Sequence, residues 1–128
     1  MVVTHVCNWY AGWGLVLVAF VTGAGVGLFF HREEFWGGYA SFRRRIVRLG
    51  HIACAALGLM NVVYALSPWP AVGGWNAAWA SGLWITGAVA MPVVCFLSGW
   101  KMGFRQLFFV PVGTLMGAVV LTMWGGIR

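Results

Sequence analysis

Charged residues are scarce in this chain. Only 8% of the 128 residues are charged, against roughly 25% in an average soluble domain, and two of them are acidic. The charges lie between positions 32 and 48 and at positions 101, 105 and 128, which leaves charge-free stretches of 31, 52 and 22 residues. Stretches of this length and polarity predict membrane spans. The scarcity of charge therefore excludes an ordinary soluble domain.

Motifs that would indicate catalysis or a metal site are also lacking. The sequence has no phosphate-binding glycine loop, no HExxH, no GxSxG and no CxxCH, and its three cysteines are Cys7, Cys54 and Cys95, far apart in the chain. No Asp or Glu falls within a predicted span, so the carboxylate that proton- or cation-coupled exporters use is missing. We assign no catalytic residue and no metal site from the sequence.

The apolar stretches predict an all-α integral membrane protein. We expect four transmembrane helices in two hairpins, a single helix bundle over residues 1–128, with spans at about 9–30, 46–66, 77–100 and 106–124. The 52-residue stretch is divided in two because Pro68, Pro70, Gly73 and Gly74 interrupt any continuous helix. Pro92 should bend the third span. Pro111 should either kink the fourth span or lie in its first turn.

The basic residues predict how the spans are threaded. Seven of the eight Lys and Arg lie between spans 1 and 2 or between spans 3 and 4, so both loops should face the cytoplasm and both termini the opposite side. No positive charge precedes the first apolar run, as a cleaved signal peptide would require. We expect a multi-pass protein of a bacterial inner membrane without a cleaved signal.

The same basic residues should contact lipid headgroups. An arginine cluster next to a span gains about 1 kcal/mol per residue from an anionic leaflet. A net charge of +6 could otherwise indicate nucleic acid, but here the charge is next to the membrane, and we expect no nucleic-acid partner. The residues that we assign to headgroup contact and topology are Arg43, Arg44, Arg45, Arg48, Lys101 and Arg105.

Glycine is abundant, with 19 residues. In lipid, helices associate through close contact at small residues, because the surrounding hydrocarbon supplies no hydrophobic driving force. Packing within the bundle and docking on other subunits are both open interpretations of these glycines. The candidates are two GxxxG pairs, in spans 1 and 4, and two glycines of span 2: Gly23 and Gly27, Gly113 and Gly117, Gly50 and Gly58.

The second span carries one small and polar face. His51, Cys54, Gly58 and Asn61 recur there at steps of three or four residues. His51 and Asn61 either hold helices together by hydrogen bonds or act in a site, since polar groups inside a membrane are costly. The specific chemical hypothesis is axial ligation of a b-type haem by His51 and His31, which lies at the same membrane face.

Three functions remain open on these observations. We expect a small non-enzymatic accessory or assembly subunit of a larger membrane complex, for example a respiratory or other electron-transfer complex, with membrane lipids and other membrane subunits as partners. The first alternative is a haem-binding electron-transfer subunit that uses His51 and His31. The second is a small transporter or lipid-handling protein that uses the polar face between His51 and Asn61.

Overall fold

The structure, a computed structural model, describes residues 2–67 and 75–126 and is almost entirely helical over them. Four helices are long and apolar enough to cross a membrane: α1 (Val2–Phe29), α2 (Phe42–Leu66), α3 (Trp75–Trp100) and α4 (Phe109–Gly126). Two short 3-10 segments, Phe35–Gly37 and Met102–Phe108, lie in the connections. The predicted fold class, an all-α arrangement of four membrane helices, is therefore confirmed. The interruption predicted between positions 68 and 74 lies outside the described residues.

α2 begins four residues earlier than predicted, and the reason is a capping residue. Ser41 has extended backbone angles, and its hydroxyl accepts a hydrogen bond from the Arg44 backbone N–H at 3.3 Å. A serine in this position satisfies one of the free N–H groups at a helix start. The arginines at positions 43–45 are consequently part of the first turn of α2.

Proline lies within two of the helices, and the bend predicted at one of them stays a prediction. Pro92 is buried within α3, and the helix continues through it from Trp75 to Trp100. Pro111 is the third residue of α4, in the first turn, where the missing N–H has no partner to lose. Of the two placements open for Pro111, the structure has the one near the helix start.

The helices pack in chain order, with neighbours antiparallel. α2 and α3 are central, α1 packs on α2 and less extensively on α3, and α4 packs mainly on α3. A buried apolar cluster lies among α2, α3 and α4 and consists of Tyr64, Ala80, Trp84 and Ala118. α1 and α4 are therefore the peripheral helices of the bundle.

Candidate functional site

A buried polar cluster joins three helices near one end of the bundle. Asn8 in α1 and Asn61 in α2 have no exposed surface, and Ser81 in α3 is 4% exposed. The Asn8 amide donates to Asn61 Oδ1 at 2.8 Å, and the Ser81 hydroxyl donates to Asn8 Oδ1. Asn61 also donates to the carbonyls of Leu57 at 3.0 Å and Trp84 at 3.4 Å. We call Asn8, Asn61 and Ser81 the polar triad.

Further hydrogen bonds extend this connection to α4. The Trp84 indole donates to Thr122 Oγ1 at 2.9 Å, and the Thr122 hydroxyl donates to the Ala118 carbonyl at 2.6 Å. The Tyr64 hydroxyl donates to the Ala77 carbonyl at 3.1 Å. All four helices are thus linked by buried or partly buried hydrogen bonds at the same end of the bundle.

The polar triad is shielded from solvent, and its hydrogen bonds attach the helices to one another. Its members are enclosed and use their amide and hydroxyl groups on one another and on backbone carbonyls. The next contact along α1 and α2 is closed as well, because a Cβ on Gly58 would lie 2.8 Å from the Gly12 carbonyl oxygen. Asn61 is thus engaged within the bundle, and the polar path of the transporter alternative stays a prediction.

Sequence reasoning identified Asn61 but not its partners. Asn8 lies one residue before the predicted first span, whereas α1 already begins at Val2. Ser81 is one of several isolated hydroxyl residues, and nothing in its spacing distinguishes it. The sequence feature that could have indicated the site is Asn8, because it is a polar amide directly next to a long apolar run.

His51 packs against α1 and does not have the surroundings of a haem ligand. Its Nδ1 lies 3.2 Å from Thr22 Oγ1, and its Cε1 and Nε2 would lie 2.8 and 3.4 Å from a Cβ placed on Gly23. The ring edge that carries both nitrogens therefore faces α1 and is occupied by its contacts with Thr22 and Gly23. His31 is exposed beyond the end of α1. The His51 and His31 arrangement does not fit haem, and we derive no chemistry through it.

Arg44 is placed differently from the sequence interpretation. We expected it at lipid headgroups, but it is 1% exposed, and its guanidinium group lies among backbone carbonyls. It donates to the carbonyls of Phe35 at 2.5 Å, Phe30 at 3.2 Å and Arg32, and it lies 5.2 Å from the centre of the Phe30 ring. These carbonyls follow the C-terminus of α1, where free acceptors and the helix dipole favour a cation.

The other basic residues remain near the surface. Arg48 is half-buried, donates to the Tyr39 carbonyl at 2.8 Å and lies 4.3 Å from the centre of the Tyr39 ring. The exposed ones, for which headgroup contact stays a prediction, are Arg43, Arg45, Lys101 and Arg105. Arg44 and Arg48 thus hold the α1–α2 connection in shape, and the remaining basic residues are free to face lipid or water.

The glycines divide into packed and open positions. Cβ atoms placed on Gly23, Gly50 and Gly58 would meet His51, Cys95 and the Gly12 carbonyl at under 3.0 Å, and one on Gly117 would meet Leu83 at 3.2 Å. A Cβ on Gly27 or Gly113 would meet nothing within 4 Å. Each GxxxG pair therefore has one glycine in contact with a neighbouring helix of the chain and one open glycine.

Among the described residues, no three His, Cys, Asp or Glu side chains are grouped to hold a metal ion. No family model, no curated protein and no solved structure matches this chain.

Proposed function

We propose that this protein is a non-enzymatic membrane subunit that docks on an apolar helix of a larger membrane complex through α4. The observation that carries the proposal is the position of α4. It packs mainly on α3, so most of its circumference faces away from the chain. The interior supports the same proposal, because the buried polar groups described above are used to attach helices to one another.

The outward side of α4 carries a stripe of exposed residues with a gap near its N-terminal end. We call this the α4 stripe: Phe109, Gly113, Met116, Val120 and Met123. These residues recur at steps of four and three and so share one helix face, and each of the four large side chains is more than half exposed.

Gly113 gives the stripe a place where a second helix can approach closely. A Cβ at Gly113 would have open space around it, so the α4 backbone is accessible there. Small residues at such a position allow the van der Waals contact that drives helix association in lipid. Phe109 and Met116 flank this gap, and methionine adapts to irregular partner surfaces.

The test is a pair of glycine substitutions in the same helix. Gly113→Leu fills the open gap and should separate the chain from its complex, measured as loss of co-migration with larger subunits on a native gel after mild-detergent extraction. Gly117→Leu is the matched control, because Gly117 faces Leu83 within the chain. It should lower the thermal stability of the chain.

Two outcomes contradict the proposal. One is that the Gly113→Leu chain stays in the large assembly as the unsubstituted chain does. The other is that the unsubstituted chain runs alone or as a small homo-oligomer, in which case it is not an accessory subunit.

A further inference from the structure

A cavity of about 350 Å³ opens between α1 and α3, at the end of the bundle opposite the polar triad. This volume is within the range of about 300–1,000 Å³ typical of small-molecule sites. Its walls are almost wholly apolar and are built from α1, the α1–α2 connection, α2 and α3. The main lining residues are Gly25, Val26, Phe29, Trp36, Val47 and Phe96.

α1 and α3 are joined near their first residues. The Ser81 hydroxyl donates to Asn8 there, whereas at the other end the last turns of α1 and Phe96 of α3 both line the cavity. The three bonds from Arg44 hold the connection that covers this end. Arg44 therefore holds in place the connection that contributes Phe35 and Trp36 to the cavity wall.

Trp36 is held in the cavity wall by an uncommon backbone conformation. Its φ of 53° and ψ of 37° lie in the left-handed region, which non-glycine residues rarely adopt. Its ring stacks on Phe35 at 5.2 Å between ring centres, and Phe35 stacks on Phe29 at 5.8 Å. The result is a row of three aromatic rings along the cavity.

A cation lies one helical turn from this apolar cavity. Arg43 precedes Val47 by four residues, so the two lie on the same face of α2, and Arg43 is exposed. Val47 contributes to the lining, while Arg43 lies nearer to the start of α2 and the polar connection. An apolar cavity next to an exposed guanidinium group matches a molecule with an apolar chain and an anionic head.

We propose that the cavity binds one anionic phospholipid, with an acyl chain among Val26, Phe29 and Phe96 and the phosphate at Arg43. The lipid comes from the leaflet that borders the α1–α2 connection. The apolar walls select the chain, and the guanidinium group selects the charged head through a charge-assisted hydrogen bond.

The test is lipid retention by the full chain, measured by native mass spectrometry after release from micelles that contain equal amounts of phosphatidylglycerol and phosphatidylcholine with the same acyl chains. The unsubstituted chain should retain one phosphatidylglycerol in preference to phosphatidylcholine. Equal retention of the two lipids, or retention of neither, would overturn the proposal.

Two glycines of α1 supply a matched pair of variants. Gly25 lines the cavity and Gly27 does not, and a Cβ at either would meet nothing within 4 Å. Gly25→Leu should lower lipid retention roughly tenfold, whereas Gly27→Leu should leave it unchanged. Thermal melts of both variants should match the parent chain. Equal retention by the two variants would show that the lipid lies elsewhere.

A second pair tests the headgroup. Arg43→Gln should abolish the preference for phosphatidylglycerol while retaining a bound lipid, because the apolar cavity is unchanged. Arg45→Gln is the control, since Arg45 is also exposed but lies on another face of α2. Loss of the preference in both variants would indicate general surface charge and contradict a defined phosphate position.

Discussion

Asn8 and Asn61 form the central hydrogen bond of the polar triad. The effects of substituting these two residues on the free energy of unfolding should therefore be strongly coupled. Replacing either one by Leu leaves the other amide partly unpaired in an apolar interior, which costs about 1–3 kcal/mol in soluble proteins, with lower average values between membrane helices. Replacing both removes the unpaired groups together. We expect the double variant to lose less free energy of unfolding than the two single variants combined.

The measurement is reversible unfolding in mixed detergent micelles, followed by circular dichroism. Thr114→Val is the control, because its hydroxyl donates only to the Val110 and Pro111 carbonyls of its own helix. Additive effects of Asn8→Leu and Asn61→Leu would show that the bond does not couple the two residues.

Arg44 should not tolerate lysine. The planar guanidinium group reaches three carbonyls at once, whereas a lysine ammonium is a compact point charge without that fork. Since hydrogen bonds to charged groups contribute about 1.5–3 kcal/mol each, Arg44→Lys should destabilise the α1–α2 connection by about 2 kcal/mol.

Amide hydrogen exchange over residues 30–41 provides the measurement for Arg44. Exchange should become faster in Arg44→Lys and stay as in the parent chain in Arg45→Lys, whose side chain is exposed. Unchanged exchange in Arg44→Lys would mean that the carbonyl contacts do not hold the connection.

The burial of Arg44 illustrates what the sequence could not predict at the scale of single residues. Positions 43–45 are three consecutive arginines, and composition alone makes them equivalent. Which one faces α1 depends on where α2 begins, because each residue advances the helix by about 100°. Ser41, a typical capping residue, indicates in the sequence that α2 begins early. The position of the α1 carbonyls relative to the first turn of α2 could not be predicted from the sequence.

At the scale of helices, Gly12 and Gly58 set the distance between α1 and α2. A Cβ at either position would lie under 3.0 Å from the carbonyl oxygen of the other glycine, and a backbone atom cannot move aside as a flexible side chain can. Gly58→Ala should therefore push the helices apart and destabilise the bundle by about 1–3 kcal/mol, the usual cost of overpacking.

Gly14→Ala is the matched control for Gly58→Ala. Gly14 has open space at its Cβ position, and alanine favours a helix by up to about 1 kcal/mol over glycine, so this variant should be neutral or stabilising. The check is the thermal midpoint of both variants in the same detergent. A similar midpoint for Gly58→Ala and the parent chain would contradict the close crossing.

The four-residue spacing of Gly50, Cys54 and Gly58 predicted one common face, and the structure divides that face between two neighbours. Gly50 faces Cys95 and Phe96 in α3, whereas Gly58 faces Gly12 and Leu15 in α1. Four residues advance a helix by 400°, so each step turns the face by about 40° and two steps by about 80°. A stripe of this kind passes gradually from one neighbouring helix to the next.

For the whole molecule, the number and approximate limits of the helices could be predicted because charge is so unevenly distributed along the chain. The contact between the non-consecutive helices α1 and α3 could not, since it depends on pairs such as Asn8 with Ser81, 73 residues apart. The cavity could not be predicted either, because its walls combine α1, the α1–α2 connection, α2 and α3, which only the tertiary fold brings together. The cytoplasmic position of the arginine-rich connection stays a prediction.

The separation of the polar triad along the chain also has a consequence for synthesis. Asn8 emerges from the ribosome 53 residues before Asn61 and 73 residues before Ser81. A lone first helix in a bilayer therefore carries an amide without its later partners, and each unsatisfied polar group in hydrocarbon costs several kcal/mol. α1 gains its full set of hydrogen bonds only when α3 has been inserted. The later helices therefore stabilise the first helix in the membrane.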